Sequence, residues 1–310
     1  MNVLTELGKK YQFFGRVDQM NGSTYDEYPV NVTCEDLDKV IVRVPKEITL
    51  LLNKIYYFEA EAIEFKEKIH LKASKVELMS QMTIHDDDKE RLMRAFYEYA
   101  PISLSELKKG IEGYLDRLEN PVIKAITLDI FKRYGNDFYL YPAATKFHHA
   151  YISGLAFHTQ TMLKLSEGFI QVYPFLNQDL IFAGIILHDV TKILEFDTYE
   201  GSEYTLQGKL VGHITLGVNE IAVTAERLGI ADTEEVMLLE HIILSHHYYG
   251  NFGSPKKPNI AEALIIHFID NIDSKVAVLG ESLNETNQGN FTESLAVLDK
   301  ERYFKHKLSK

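Results

Sequence analysis

The sequence is short of the features that mark secreted and membrane proteins. Its 310 residues include one cysteine, Cys34, which excludes an intrachain disulfide and a cysteine-rich zinc site. The longest apolar run, residues 180–187, falls well below the roughly 20 residues that cross a bilayer. The first residues do not combine a basic start with an apolar stretch, so we expect no secretory signal. The expectation is a cytosolic protein with no membrane contact.

Basic residues are also in deficit. The chain has 33 Lys and Arg against 45 Asp and Glu, a formal net charge of −12. This balance counts against a protein that holds nucleic acid by a large basic surface. It does not exclude an enzyme that meets phosphates through bound metal ions, which are often the largest local charges in a site. Residues 1–85 are nearly balanced, with 11 basic and 13 acidic residues, so most of the net negative charge lies after residue 85.

The first 80 residues carry the alternating pattern of β-strands. In residues 28–34 and 40–44, apolar side chains occupy every second position, which is typical of a strand with one buried face. The five candidate strands are residues 11–17, 28–34, 40–44, 55–63 and 69–76. Five short strands in this length predict a small barrel. An OB-like barrel has this strand count and is a common platform for nucleic acid.

Aromatic side chains on these strands have two open interpretations. They are Phe13, Phe14, Tyr25, Tyr56 and Tyr57. Exposed aromatics on such a barrel stack on the bases of a single strand. Aromatics also fill barrel interiors, and core packing is the expected role for most of them.

From residue 80 onward the apolar spacing becomes helical. Apolar residues recur at i, i+3 and i+4, which is typical of amphipathic helices. The clearest segments are residues 155–170, 179–188, 234–247 and 261–279. Residues 86–88 are three aspartates, which predict a capped helix N-terminus because carboxylates accept from its free N–H groups.

Histidines are concentrated in this helical part, with nine of the twelve between residues 148 and 267. His188 and Asp189 are adjacent at the end of an apolar helix, where they can present an imidazole nitrogen and carboxylate oxygens to one metal. Further candidates follow or precede on their own helices: His158, His213, His246, His247 and Asp270. Metal sites of this kind are built from facing helices of a bundle. Nitrogen and carboxylate ligands without thiolate suit Mn, Fe, Co, Ni or Zn.

The order of these residues resembles that of the HD-domain phosphohydrolases. That order is a lone His, a His-Asp pair, further His residues and a late Asp. Residues 141–149, 153–158, 184–189 and 243–247 are similar to one HD subfamily, the YhaM family of 3′–5′ exoribonucleases, also described as CMP-binding factor. The resemblance implies a multi-domain α and β chain, with a small OB-like β-barrel before an all-α HD helical bundle. We therefore expect an OB-like nucleic-acid-binding domain at 1–82, leading helices at 83–145 and an HD phosphohydrolase domain at 146–310.

The resemblance also implies the chemistry. It implies hydrolysis of single-stranded RNA from the 3′ end to nucleoside 5′-monophosphates, with single-stranded DNA as a second substrate. Two divalent ions per site are expected, with Mn, Co or Fe favoured, and self-association into a homo-oligomer is compatible with the family. The ligands of the first ion would be His158, His188, Asp189 and Asp270. The ligands of the second would be His213, His246 and His247, with Asp189 bridging.

Four further residues receive looser roles from the pattern. Lys192 would neutralise a phosphate oxygen during catalysis, or else it is a surface lysine near a helix end. His149 and His148 would contact the scissile phosphate or the nucleotide, or else they are structural. Lys256 would guide the strand, or else it lies in an exposed polar loop. We expect Asp189, Lys192 and His149 to be catalytic and His148, Lys192 and Lys256 to bind substrate.

The chain departs from related HD patterns at Thr191. It reads His188-Asp189-Val190-Thr191-Lys192, where HD enzymes often have Gly in place of Thr191. Thr permits less close backbone approach than Gly, which leaves the shape near Lys192 open.

Two other functions stay open at this point. One is a hydrolase of free nucleotides, which would not need an 80-residue strand-binding barrel. The other is a non-catalytic nucleic-acid-binding protein with a decayed metal site, against which the complete His and Asp set argues.

Overall fold

The computed structural model describes residues 6–22, 26–144, 149–199 and 203–308. The chain divides into two compact units, Met1–Glu98 and Tyr99–Lys310. No helix among the described residues is long and apolar enough to cross a membrane. The cytosolic location and the finer partition at residues 82 and 145 stay predictions.

Five strands of the first unit close into a barrel, which confirms the OB-like prediction. Their order around the barrel is β1-β2-β3-β5-β4, and only the β3–β5 pair, at Val42 and Leu71, is parallel. The strands are β1 Lys10–Met20, β2 Glu27–Cys34, β3 Lys39–Pro45, β4 Ile55–Phe65 and β5 Lys68–Leu78. All five predicted strands are confirmed.

The barrel interior is filled by the apolar residues of the alternating pattern. Val30, Val42 and Val44 are fully buried, and each contributes about 1.5–3 kcal/mol relative to an exposed position. Tyr56 is also buried and Phe13 stacks on Phe58, with 5.3 Å between ring centroids. Core packing is therefore confirmed for these two of the five aromatics considered from the sequence.

Two other aromatics lie outside this interior. Phe14 of β1 and Tyr57 of β4 are half-buried cross-strand neighbours, with ring centroids 5.4 Å apart. Alternation along β1 places Phe14 on the outer face, because Tyr11 and Val17 point inward. Tyr25 lies outside the described residues.

The second unit is helical, and α1 precedes it in the first unit. The helices are α1 Asp86–Phe96, α2 Leu104–Asp116, α3 Pro121–Phe138, α4 Gly154–Val172, α5 Gln178–Leu187, α6 Lys192–Glu195, α7 Leu206–Leu210, α8 His213–Leu228, α9 Glu234–Ser245 and α10 Ala261–Glu285. The four helices predicted from apolar spacing are confirmed as α4, α5, α9 and α10. α9 ends at Ser245, so the His246-His247 pair follows the helix rather than closing it.

Local sequence explains where several helices begin. Ser103 and Glu106 form a capping box at α2, and the Asn120 side chain accepts from the first turn of α3, which starts with Pro121. α1 differs from the prediction. The helix begins at Asp86, so His85 occupies the N-cap position with no capping hydrogen bond from its side chain, and residues 86–88 form the first turn, where the helix dipole favours acidic residues.

α5 is the centre of the second unit. Its residues from Asp179 to Leu187 are all buried, as expected for a helix that is apolar on every side. Gly184 permits close packing, because a Cβ there would lie 2.5 Å from Ile266 Cδ1 of α10 and 2.9 Å from Ile242 Cγ2 of α9. The end of α5 is thereby held against the two helices that supply later candidate ligands.

Candidate metal centre

The candidate ligands come from five helices that meet at the end of α5. His158 lies in α4, and Asp270 lies in α10. His188 and Asp189 follow α5 directly. His213 is the first residue of α8, and His246 and His247 follow α9.

One group combines the lone histidine with the late aspartate. His158, His188 and Asp270 each offer a ligand atom, and these atoms lie within 4.8 Å of one another. Nε2 of His158 is 3.3 Å from Oδ1 of Asp270. This is the arrangement expected for the first ion.

The second group surrounds the other side of Asp189. Asp189, His213, His246 and His247 offer ligand atoms that also lie within 4.8 Å of one another. The ring centroids of His246 and His247 are 4.1 Å apart. This is the arrangement expected for the second ion.

Asp189 lies between the two groups. Its Oδ2 is 3.2 Å from Nε2 of His188, in the first group. Its Oδ1 is 3.4 Å from Nε2 of His213 and 4.0 Å from Nε2 of His246, in the second. The two oxygens of one carboxylate thus face the two groups separately, as a bridging ligand requires.

Hydrogen bonds behind three histidines fix which nitrogen points into the centre. Nδ1 of His188 lies 2.7 Å from the carbonyl of Ile185, and Nδ1 of His246 lies 2.8 Å from that of Ile243. Nδ1 of His213 lies 3.0 Å from a carboxylate oxygen of Glu195. Since a carbonyl or carboxylate only accepts, each Nδ1 carries the proton and each Nε2 is free to bind metal when the ring is neutral.

Buried polar atoms without hydrogen-bond partners test whether these residues suit metal ions. The described residues contain six such side-chain atoms, and four of them converge here. They are Nε2 of His188, His213 and His246 and Oδ1 of Asp189. A buried polar group left unpaired costs about 1–3 kcal/mol, so four in one place indicate a ligand. Neutral imidazole and carboxylate are donors that Mn, Fe, Co and Zn accept, so the residues fit the implied ions.

The electrostatics of the centre favour charged carboxylates. Burial alone would raise the pKa of Asp189, but the Lys192 ammonium and the neighbouring His188 hold it well below its usual value. The same balance, set by His158, lowers the pKa of Asp270. Burial also lowers the pKa of His246 well below its usual value, which keeps that ring neutral.

Lys192 is not the surface lysine of the alternative interpretation. Its side chain is largely buried, and its Nζ lies 2.6 Å from Oδ2 of Asp189. Burial would lower its pKa, but the Asp189 carboxylate outweighs burial and raises it. A cation is therefore present beside the carboxylate that faces both groups.

His149 lies behind His158 rather than beside the two groups' centre. Its Nε2 is 2.8 Å from Oδ2 of Asp273, and its Nδ1 is 2.8 Å from the hydroxyl of Tyr151. The same Asp273 oxygen is 2.6 Å from Nδ1 of His158. Both ring nitrogens of His149 are thus engaged, and its catalytic role stays a prediction that this geometry does not favour. His148 lies outside the described residues.

The remaining residues to locate are Lys256 and Thr191, together with His241, which the sequence does not select as a ligand. Lys256 is exposed and lowers the pKa of His241 together with burial, so it neighbours that ring. His241 accepts from the backbone N–H of Asn259 at 2.9 Å and joins no ligand group among the described residues. Thr191 has an ordinary φ of −82° and donates to the carbonyl of His213 at 2.7 Å, so it supports the centre without strain.

Sequence reasoning missed Glu195. It gives Asp273, one helical turn after Asp270, only the general role of a cap or hydrogen-bond partner. The only available signals are their spacings, three residues after Lys192 and three after Asp270, which place each pair on one helix face. Neither spacing identifies the histidine that the carboxylate contacts.

Comparisons with known proteins agree with this geometry. The HD domain model matches residues 155–275, a range that includes all the candidate ligands. The protein called 3′–5′ exoribonuclease YhaM in Geobacillus sp. (strain WCH70) is 39% identical over 264 residues, covering 85% of this chain and 77% of that protein. The chain belongs to the YhaM family. Proteins of the same name from Shouchella clausii and Bacillus licheniformis are 38% and 44% identical, covering 84% and 68% of this chain and 80% and 67% of theirs.

Proposed function

We propose that this member of the YhaM family is a metal-dependent 3′–5′ exoribonuclease. The observation that carries the proposal is the convergence of four unpartnered buried ligand atoms between two groups that share Asp189. Family membership supports the same activity, since its relatives are named for it. The HD domain would supply the metal site and the closed five-stranded barrel would supply the strand-binding surface of this enzyme.

Two divalent ions are the proposed cofactors, with Mn, Co or Fe favoured by the family resemblance among the metals that nitrogen and carboxylate donors suit. His158, His188, Asp189 and Asp270 would hold one ion. His213, His246, His247 and the shared Asp189 would hold the other. Bound ions of this kind supply an activated water at neutral pH and neutralise charge on the phosphate.

The protein's own residues orient the reaction. Asp189 sets the relation between the two ion positions, and Lys192 adds a positive charge for a phosphate oxygen beside them. His149 is a positioning residue, because its Nε2 contacts the Asp273 oxygen that also contacts Nδ1 of His158. Hydrolysis adds the water oxygen to phosphorus and breaks the bond to the 3′ oxygen. The released nucleotide therefore keeps its 5′ phosphate, and the shortened strand gains a 3′ hydroxyl.

The substrate is proposed to be single-stranded RNA, with single-stranded DNA as a second substrate. The barrel would hold the strand upstream of the cut, in keeping with a strand-binding domain at residues 1–82. The outward aromatics Phe14 and Tyr57 are available for stacking on bases, whereas Tyr56 is buried in the barrel core. Contacts of His148 and Lys256 with the strand, and assembly into a homo-oligomer, stay predictions.

A single RNA assay tests this function. A 5′-labelled single-stranded RNA is incubated with the full chain in Mn²⁺, in excess chelator, and in chelator followed by Mn²⁺. We expect a descending ladder with Mn²⁺, no shortening in chelator, recovery on readdition, and nucleoside 5′-monophosphates as products. Undiminished shortening by metal-free protein would reject the metal mechanism. Hydrolysis of free nucleotides without shortening of RNA would favour the small-molecule hydrolase instead.

A further inference from the structure

The histidines of the metal centre differ in the group that contacts the ring nitrogen facing away from the centre. His188 and His246 use backbone carbonyls, which no substitution removes. His213 and His158 use side-chain carboxylates, those of Glu195 and Asp273. Each carboxylate lies behind a histidine of a different one of the two groups around Asp189. Asp273 also forms a third set of nearby ligand atoms with His149 and His158, on the side of the His158 ring that faces away from Asp270.

We propose that Glu195 and Asp273 are positioning residues that control the two ion positions separately. Glu195 orients His213 for the ion shared by Asp189 and His246. Asp273 orients His158 for the ion shared by His188 and Asp270. The inference rests on the proposed metal-dependent function and names the residues that decide whether each position fills.

Glu195 holds both the ring and the backbone of His213. One carboxylate oxygen is 3.0 Å from Nδ1 of the ring, and the other is 3.3 Å from the backbone nitrogen. His213 is the first residue of α8, and Gly212 at the N-cap provides no side chain to accept from the free N–H groups there. Glu195 supplies that acceptor from another helix, so it fixes His213 at two points.

The segment that holds His213 is the one that carries Asp189. Thr191 fixes the His213 carbonyl, Glu195 fixes its ring, and both lie within six residues of Asp189 in the chain. The distance between His213 Nε2 and Asp189 Oδ1, 3.4 Å, is therefore set by a short and buried piece of backbone. Loss of Glu195 would free the His213 ring to rotate away from the Asp189 carboxylate, with which it would hold the same ion.

Asp273 holds two histidines with one oxygen. Its Oδ2 lies 2.6 Å from Nδ1 of His158 and 2.8 Å from Nε2 of His149. The Tyr151 hydroxyl, 2.8 Å from the other nitrogen of His149, extends the chain of contacts. Gly154 keeps this layer close to α4, because a Cβ there would lie 2.0 Å from the carbonyl oxygen of His149. His158 is thus fixed from behind by a buried layer.

The two carboxylates touch different groups, which makes their effects separable. Partners behind a metal-binding histidine are worth about 10–100-fold in metal affinity. Loss of Glu195 should weaken one position by that factor and leave the other nearly unchanged. Loss of Asp273 should do the reverse.

Glu195→Gln and Asp273→Asn test the proposal at constant side-chain volume. Glu262→Gln is the matched control: Glu262 is a buried carboxylate that accepts from the backbone nitrogen of Asn177 at 2.7 Å and contacts no histidine of the centre in the described structure. Metal-free full-length proteins are titrated with Mn²⁺ by equilibrium dialysis, and circular dichroism confirms the fold of each. Electron paramagnetic resonance distinguishes an exchange-coupled ion pair from isolated ions.

We expect the wild type and Glu262→Gln to bind two Mn²⁺ as a coupled pair. Glu195→Gln and Asp273→Asn should each bind one Mn²⁺ with wild-type affinity and the second Mn²⁺ about 10–100-fold more weakly. At intermediate Mn²⁺ concentrations each variant should therefore show the resonance of isolated ions. A double variant should lose both. Glu195→Asp, which restores the charge, should recover part of the affinity that Glu195→Gln loses.

Two unchanged affinities in a folded Glu195→Gln or Asp273→Asn protein would overturn the role of that residue. Equal weakening of both positions by either variant would overturn the separation. A wild type that binds two Mn²⁺ but never shortens RNA would reject the exoribonuclease function alone. If both variants bind Mn²⁺ as the wild type does and also shorten RNA normally, the positioning roles are rejected and the exoribonuclease function is kept.

Discussion

Asp189→Asn removes the carboxylate that faces both ligand groups while keeping the side-chain volume. The Asp189 side chain is 4% exposed, and its Oδ2 is 2.6 Å from Nζ of Lys192. Breaking a buried ion pair by removing one partner costs about 3–5 kcal/mol, because the other charge stays buried and unpaired. Since domains have about 5–15 kcal/mol of stability, we expect a folded but clearly less stable metal-free protein.

The same substitution should also lower the turnover of the protein that stays folded. An amide replaces the carboxylate whose Oδ1 faces His213 and His246 and whose Oδ2 faces His188. If charge stabilisation of about 4 kcal/mol is lost, turnover falls about a thousandfold, since each 1.36 kcal/mol is tenfold. Single-turnover shortening of labelled RNA at saturating Mn²⁺ measures this loss.

A second substitution separates the two effects. Asp189→Asn with Lys192→Met removes the unpaired ammonium, so the free energy of unfolding should recover while turnover stays low. The exposed Asp116→Asn, on α2, is the matched control and should match wild type in both. Wild-type turnover in Asp189→Asn would refute the bridging role. A double variant no more stable than the single one would refute the ion-pair reasoning.

Three further outcomes follow from the structure. The double variant Phe14→Ala with Tyr57→Ala should raise KM for long RNA at least about tenfold but leave KM for dinucleotides unchanged, since stacking is worth about 1–3 kcal/mol per base. The control Gln12→Ala, at an exposed position of the same strand, should leave both KM values unchanged. Equal KM values for the double variant and the wild type would show that this aromatic pair does not bind the strand. Burial and nearby cations lower the pKa of His70, so the folded protein favours its neutral form. The free energy of unfolding of the wild type should therefore fall relative to that of His70→Asn as the pH drops below 6.5. A difference in unfolding free energy that does not change with pH in denaturant titrations would contradict this. Gly154→Ala should cost about 1–3 kcal/mol, because its Cβ would overlap a backbone carbonyl, and an unchanged melting temperature would count against that contact.

Strand and helix positions could be read from the sequence because one-sided burial imposes a period. The alternation at Val30, Val32 and Val42 corresponds to the filled barrel interior. The continuous apolar run at 180–187 corresponds to a helix buried on every side. Both follow from local patterns that a packed core requires.

The ligand groups could be assembled only through the resemblance, since their members lie up to 112 residues apart in the chain, from His158 to Asp270. What the sequence did not reveal were contacts that tertiary packing creates. Glu195 of α6 contacts the ring of His213 at the start of α8. The two ring nitrogens of His149 are hydrogen-bonded to Tyr151 and Asp273. Alternation along β4 does separate Tyr56, on the core face with Ala60, from Tyr57, on the outer face with Glu59, although the sequence analysis left these two aromatics undivided.

Anomalous diffraction from crystals of the full chain soaked in Mn²⁺ tests the central claim most directly. We expect two anomalous peaks about 3.5–4 Å apart, on either side of Asp189, in keeping with a two-metal site. One should lie between His158, His188 and Asp270, and the other between His213 and the His246-His247 pair. A fully soaked crystal with no peak in contact with Asp189, or with its peaks on other residues, would contradict the assignment of this centre.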